Sequence, residues 1–166
     1  FVDRRLFRGR YDHQTALVRF GDRLLGSYGQ ENIARLLARE VPIILQATSC
    51  AVYVPGDDDQ AYFLYGWRGP ADERPPDTLD KNSAALFAAL ERKTAIVKDE
   101  IAHSNLFSRK FGDLLYKNFA DLGAALAFPL TSKDHTHGVL FLGEKSKDTI
   151  YTSDDLHLLG ALASQA

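Results

Sequence analysis

The chain has 166 residues, is 45% hydrophobic and 25% charged, and carries a net charge of −2. Those values describe one globular domain, or a domain with an arm, long enough to bury a core without staples. They exclude a globally basic nucleic-acid binder, and Cys50, alone in the sequence, excludes an intrachain disulfide or a Cys-based zinc site.

The first ~25 residues read as a helix. Phe7, Tyr11, Val18 and Leu25 fall near heptad spacing, and Leu17, Phe20 and Leu24 widen the stripe. Gly9, Gly21 and Gly26 weaken it, and "GSYGQ" from Gly26 to Gln30 breaks it. Local charge is uneven: Phe1–Tyr28 holds six Arg against three Asp, with Arg4, Arg5, Arg8 and Arg10 close together. A second helix is predicted from Glu31 to Gln46, with Ile33, Leu36, Leu37, Val41, Ile44 and Leu45 on one side. Pro42 is expected to kink or restart it. "CAVYV" (Cys50–Val54) and "AYFLYGW" (Ala61–Trp67) flank the turn "PGDDDQ" and predict a β-hairpin. A Gly/Pro-rich acidic stretch follows and reads as a solvated loop. "NSAALFAALERK" predicts a helix capped by Asn82 or Ser83, and "TAIV" (Thr94–Val97) a short strand. Lys98–Leu122 is long, polar and aromatic, with a helix expected from Ser108 to Asn118. "GAALAFPL" (Gly123–Leu130) and "HGVLFLGEK" (His137–Lys145) predict two strands around "TSKDHT". Both are apolar almost continuously, as strands covered on both faces are.

The last segment, "YTSDDLHLLGALASQA", opens with Thr152 or Ser153 as a cap and Asp154 and Asp155 in the first turn. Leu156, Leu159, Leu162, Ala163 and Ala166 then form an apolar stripe. No Gly, Asn or Pro stops this helix. With Phe at position 1 and no Met anywhere, the sequence is expected to be a piece of a longer protein whose closing helix runs on. No apolar run approaches the ~20 residues of a membrane helix. The order of elements predicts an α/β fold of the α+β kind. An antiparallel sheet of five or six strands would carry the terminal helices on one face, with helices, loops and a cavity on the other.

The segment "LGAALAFPLTSKDHTHGVLFLGEKSKDTIYTSDDLHLLGALASQA" resembles the second half of a GAF domain. The likeness rests on Pro129-Leu130, Gly138–Lys145, Tyr151–Leu156 and Leu158–Ala166. "TSCAVYV" and "LFAALERKTAIVKDE" fit the earlier half more loosely, so the resemblance spans roughly Glu31–Ala166. It implies a GAF-like, PAS-related sensory domain. "FVDRRLFRGRYDHQTALVRF" is similar to the segment that follows the membrane helices in bacterial sensor histidine kinases carrying a cytosolic GAF domain. The two resemblances together imply a juxtamembrane and dimerisation helix over 1–28 and a GAF sensory domain over 29–166. The domain would lie on the cytoplasmic side of an inner-membrane protein of a two-component system, with Arg4, Arg5, Arg8 and Arg10 beside the membrane. It would form a homodimer through its terminal helices and contact no nucleic acid. A ligand-free spacer domain, or the GAF domain of a transcription activator or a cyclic-dinucleotide enzyme, stays open.

No residue set points to catalysis. Methionine sulfoxide reduction in GAF-like proteins needs several cysteines, and linear tetrapyrrole attachment uses a Cys next to a His; Cys50 is alone and precedes Ala51. "KNFADL" departs from the cyclic-nucleotide pattern of the family. No phosphate-binding Gly loop appears. His135 and His137 share a strand face at i, i+2 but have no third metal ligand placed by sequence. What remains is aromatic richness: Tyr65, Trp67, His103, Phe107, Phe111, Tyr116, Phe119 and Phe128 are the candidates to line a small-molecule pocket, its ligand or cofactor left open.

Overall fold

The computed structural model describes residues 3–24, 29–132, 135–146 and 150–166, the side chains of 3–13 excepted. Helices α1 (Asp3–Leu24) and α2 (Gln30–Leu45) lead into strands β1 (Cys50–Pro55), β2 (Ala61–Arg68) and β3 (Thr78–Asp80). Then come α3 (Ala84–Arg92), β4 (Ile96–Val97), α4 (Lys98–Ile101), α5 (Arg109–Asp121), β5 (Leu126–Ser132), β6 (His135–Leu142) and α6 (Ser153–Gln165). The strands form one antiparallel sheet in the order β3-β2-β1-β6-β5-β4.

The near-continuous apolar runs are explained by two cores, one on each face of the sheet. Strand alternation sends Cys50, Val52, Val54, Leu126, Leu140 and Leu142 to one face. There they meet Phe20 of α1, Leu37 and Val41 of α2, and Leu158, Leu159 and Leu162 of α6. The intervening residues Ala51, Tyr53, Ala127, Val139 and Phe141 face the other way. They pack against Ala85, Leu86 and Ala89 of α3, Ile101 of α4, and Leu115 and Phe119 of α5. The terminal helices therefore share one face and the middle helices the other, as the order of elements predicts. Gly66 on β2 permits the close approach of α2: a Cβ there would sit 2.4 Å from the Ala34 carbonyl oxygen.

Local differences from the sequence expectations have physical reasons. Pro42 lies inside the last turn of α2 and starts no new helix. The helix ends just beyond it, where Gln46 turns left-handed (φ 57°) and the Ala47 N–H returns to the Pro42 carbonyl at 2.9 Å. β3 falls inside the stretch expected to be a loop; its three residues pair with Ala61–Phe63 of β2. β4 is two residues rather than four, and α5 runs on to Asp121. Ser83 occupies the N-cap position of α3 but makes no cap bond; the Ala85 N–H donates instead to Asn118 Oδ1 of α5 at 2.8 Å. Val18, placed on the α1 stripe, is 65% exposed, whereas Phe20 is buried. In α6, Leu158 joins Leu159 and Leu162 in the core, and Ala166 is exposed. The side chains of Phe7, Tyr11, Arg4, Arg5, Arg8 and Arg10, and the break at 26–28, lie outside the described residues.

The start of α6 is fastened to the sheet. Thr152 Oγ1 accepts from the Asp155 N–H at 3.2 Å, and Asp155 Oδ2 accepts from the Thr152 N–H at 2.9 Å, a reciprocal capping box. The same carboxylate accepts from Lys145 Nζ at 2.7 Å, just beyond the end of β6. Tyr151 donates to the Gly143 carbonyl at 2.5 Å. Burial pushes the Asp155 carboxyl up, but the bonds from Lys145 and Thr152 outweigh it and hold the group below the usual carboxylate range.

Candidate functional site

The loop-rich face carries an open cavity of about 520 Å³ where α4, the 102–108 loop and the start of α5 meet. Ser108 sets the start of α5: its Oγ accepts from the Phe111 N–H at 3.3 Å. That cap fixes the rotation of the helix, so Arg109, Gly112, Asp113 and Tyr116, spaced three and four apart, all line the cavity. Ile101 of α4 and Phe107 of the loop supply apolar wall. Ser104 and Asn105 add a hydroxyl and a carboxamide, and the Ser104 Oγ is buried without a hydrogen-bond partner. Two aromatic linings have cations stacked on them: the Arg92 guanidinium lies 5.1 Å from the Phe107 ring centre, and Lys98 Nζ 4.9 Å from that of Tyr116. Gly112 keeps the cavity wide. A Cβ there would meet nothing nearer than 3.9 Å, so space and not backbone strain is what the glycine provides.

The residues singled out in the sequence are spread across the fold. Phe107 and Tyr116 line the cavity. Phe111 stands behind it, with ring centres 5.7 Å from Phe107 and 6.3 Å from Phe87. His103 is exposed on the same loop, outside the lining. Trp67 packs against the core of this face from β2, while Tyr65, at 39% exposure, is the extra, unpaired residue of β2 at the irregularity opposite Val52/Tyr53. Phe119 is fully buried, edge-on to Phe141 at 6.4 Å. Phe128 lies on the opposite face, in the core shared with α6. Sequence reading missed Ser104, Asn105, Arg109, Gly112 and Asp113. The signal for three of them was present: Arg109, Gly112 and Asp113 fall on one helical face with Tyr116.

A second, more apolar cavity of about 600 Å³ lies on the terminal-helix face, among Ile33, Leu37, Val54, Leu130 and the last residues of α6. At its edge Ser132 Oγ and His137 Nε2 are 2.5 Å apart. The His135 and His137 rings, 4.9 Å apart, share a strand face. Among the described residues no three His, Cys, Asp or Glu side chains gather as a metal site would need. Burial in this face's core pushes the Cys50 thiol far above its ordinary value. Among the described residues no helix is long and apolar enough to cross a membrane.

No curated protein matches this chain. The fold has many solved counterparts. The GAF domain of an Acinetobacter phosphoenolpyruvate-protein phosphotransferase superposes with a TM-score of 0.66 at 15% identity, covering 92% of this chain and 88% of that one. A segment of a methyl-accepting chemotaxis protein gives 0.69 at 14% identity, with 88% and 91% covered. The phycoerythrobilin-bound GAF domain of a cyanobacterial phytochrome gives 0.66 at 13% identity, with 92% and 91% covered. Such identities speak for the fold alone. The family profile described as GAF domain matches residues 29–166. With a six-stranded antiparallel sheet, terminal helices on one face and a cavity among the middle helices on the other, the chain belongs to the GAF domain family, whose members are generally regulatory modules.

Proposed function

We propose that residues 29–166 are the sensory domain of a signal-transducing histidine kinase, and that residues 1–28 form a juxtamembrane and dimerisation helix. A small molecule in the α4/α5 cavity is the signal. The output is the arrangement of α1 and α6 against those of a second copy, on the cytoplasmic side of the inner membrane, with Arg4, Arg5, Arg8 and Arg10 next to its anionic head groups.

The observation that carries this reading is the division of the two faces by one sheet. The core behind the cavity runs through Leu115, Phe119 and Phe141 to β6. β6 alternates across the sheet, so its Leu140 and Leu142 pack on the other side with Leu158, Leu159 and Leu162 of α6. Lys145 and Asp155 then tie the end of that strand to the first turn of α6. A shift at the cavity thus reaches the terminal helices through packed groups, and a coupling of about 1–3 kcal/mol would move a kinase equilibrium five- to a hundred-fold.

A thermal-shift panel of nucleotides, amino acids, small carboxylates and haem tests the sensory half of the reading. The expected result is stabilisation by at least one compound class, abolished by Gly112→Leu, which projects a side chain into the cavity. Absence of stabilisation across the panel would favour a ligand-free spacer and dimeriser instead.

A further inference from the structure

The charged groups that line the α4/α5 cavity are an unmatched pair. Arg109 and Asp113 stand four residues apart on one face of α5, about 6 Å between Cβ atoms for such a spacing. Both are exposed, and among the described residues neither is in an ion pair or hydrogen bond. Their order is the weak one for pairing on a helix, with the cation toward the N-terminus. Arg109 also sits in the first turn, where the helix dipole disfavours a cation, and no acidic residue in that turn offsets it. Ile101, Phe107 and Tyr116 add apolar and aromatic lining to the same cavity, with Arg92 and Lys98 each over one of the two rings.

Resting on the reading of this cavity as the ligand site, we infer that its ligand class is a free α-amino acid with an apolar or aromatic side chain. A carboxylate and an ammonium carried on one carbon match a cation and an anion one helical turn apart. The carboxylate lies on Arg109 and relieves the misplaced cation; the ammonium lies on Asp113; the side chain covers Phe107 and Tyr116. A cavity of about 520 Å³ holds such a molecule with room for water. A simple anion would leave Asp113 facing it, and a simple amine would leave Arg109, so neither alone satisfies the site.

The test is calorimetric titration of the purified chain with L-phenylalanine and L-leucine up to about 10 mM, the millimolar range of a weak metabolite sensor. Amide chemical shifts locate the site in parallel. 3-Phenylpropionate and 2-phenylethylamine are the probes that lack one charge each. The expected result is saturable binding of at least one amino acid with shifts confined to the 101–116 region. Either single-charge analogue should bind roughly tenfold more weakly or worse. Asp113→Asn should erase the preference for phenylalanine over 3-phenylpropionate, and Arg109→Gln the preference over 2-phenylethylamine. Both variants change exposed side chains, and Arg109→Gln should leave the unliganded melting temperature unchanged or raised. Equal binding of an analogue, or shifts elsewhere, would overturn the inference. Should another compound bind here and be blocked by Gly112→Leu while neither amino acid does, the amino-acid assignment falls and the sensory reading stands. If nothing binds here at all, both fall.

Discussion

Gly112 illustrates how one residue separates stability from function. It lies in the interior of α5, where glycine costs roughly 0.5–1 kcal/mol relative to alanine. A Cβ would meet only ordinary contacts. Gly112→Ala is therefore expected to stabilise the unliganded chain by about that amount, read by urea denaturation, while narrowing the cavity. Phe119 makes the opposite case. Its ring is fully buried against Phe141, so Phe119→Ala should cost about 3–5 kcal/mol in the same experiment. In the sequence Phe107, Phe119 and Phe128 look alike, because an aromatic residue near a loop carries no mark of which face it will join. Phe107 and Tyr116 could be chosen by position; Phe119 and Phe128 are separated from them only by helix rotation and strand parity. The polar members, Ser104 and Asn105, sit in a segment without periodicity, and nothing local distinguishes them from solvated loop residues.

At the scale of elements, the α6 start was legible because its chemistry is local. Thr152 and Asp155 are three residues apart, and their reciprocal bonds need no tertiary partner. Lys145, which adds the bond from the sheet, required the fold to be known. That bond has a consequence for pH. Asp155 is held below the usual carboxylate range in the folded chain, so its contribution to stability is complete above the unfolded-state value of about 4 and is lost as pH falls through the lower, folded value. Protection factors of the α6 amides, taken relative to the intrinsic exchange rate at each pH, are expected to fall on acidification below about pH 4, and Asp155→Asn should flatten that part of the profile. β3 was not legible for the converse reason. Three residues after Pro75 and Pro76 carry too short a pattern, and only pairing with β2 makes them a strand. The two-residue β4 is fixed likewise, by its register with Leu126 and Ala127 of β5. Pro42 misled because its effect depends on place: near the end of α2 it costs one backbone bond shortly before the helix would stop anyway.

For the whole molecule, the continuous apolar strands determined the architecture. Strands without a polar side demand cover on both faces, and the order of helices along the chain assigned the terminal ones to one layer and the middle ones to the other. On the proposal that α1 and α6 pair with those of a second copy, Val18 of α1, 65% exposed, is the contact to test. Sedimentation equilibrium of the chain and of Val18→Glu measures that claim most directly. A reversible monomer–dimer equilibrium that Val18→Glu shifts toward monomer, with the melting temperature unchanged at dilutions where both chains are monomeric, is the predicted result. A chain that stays monomeric at the highest concentration reached would contradict helix pairing as the output of this domain.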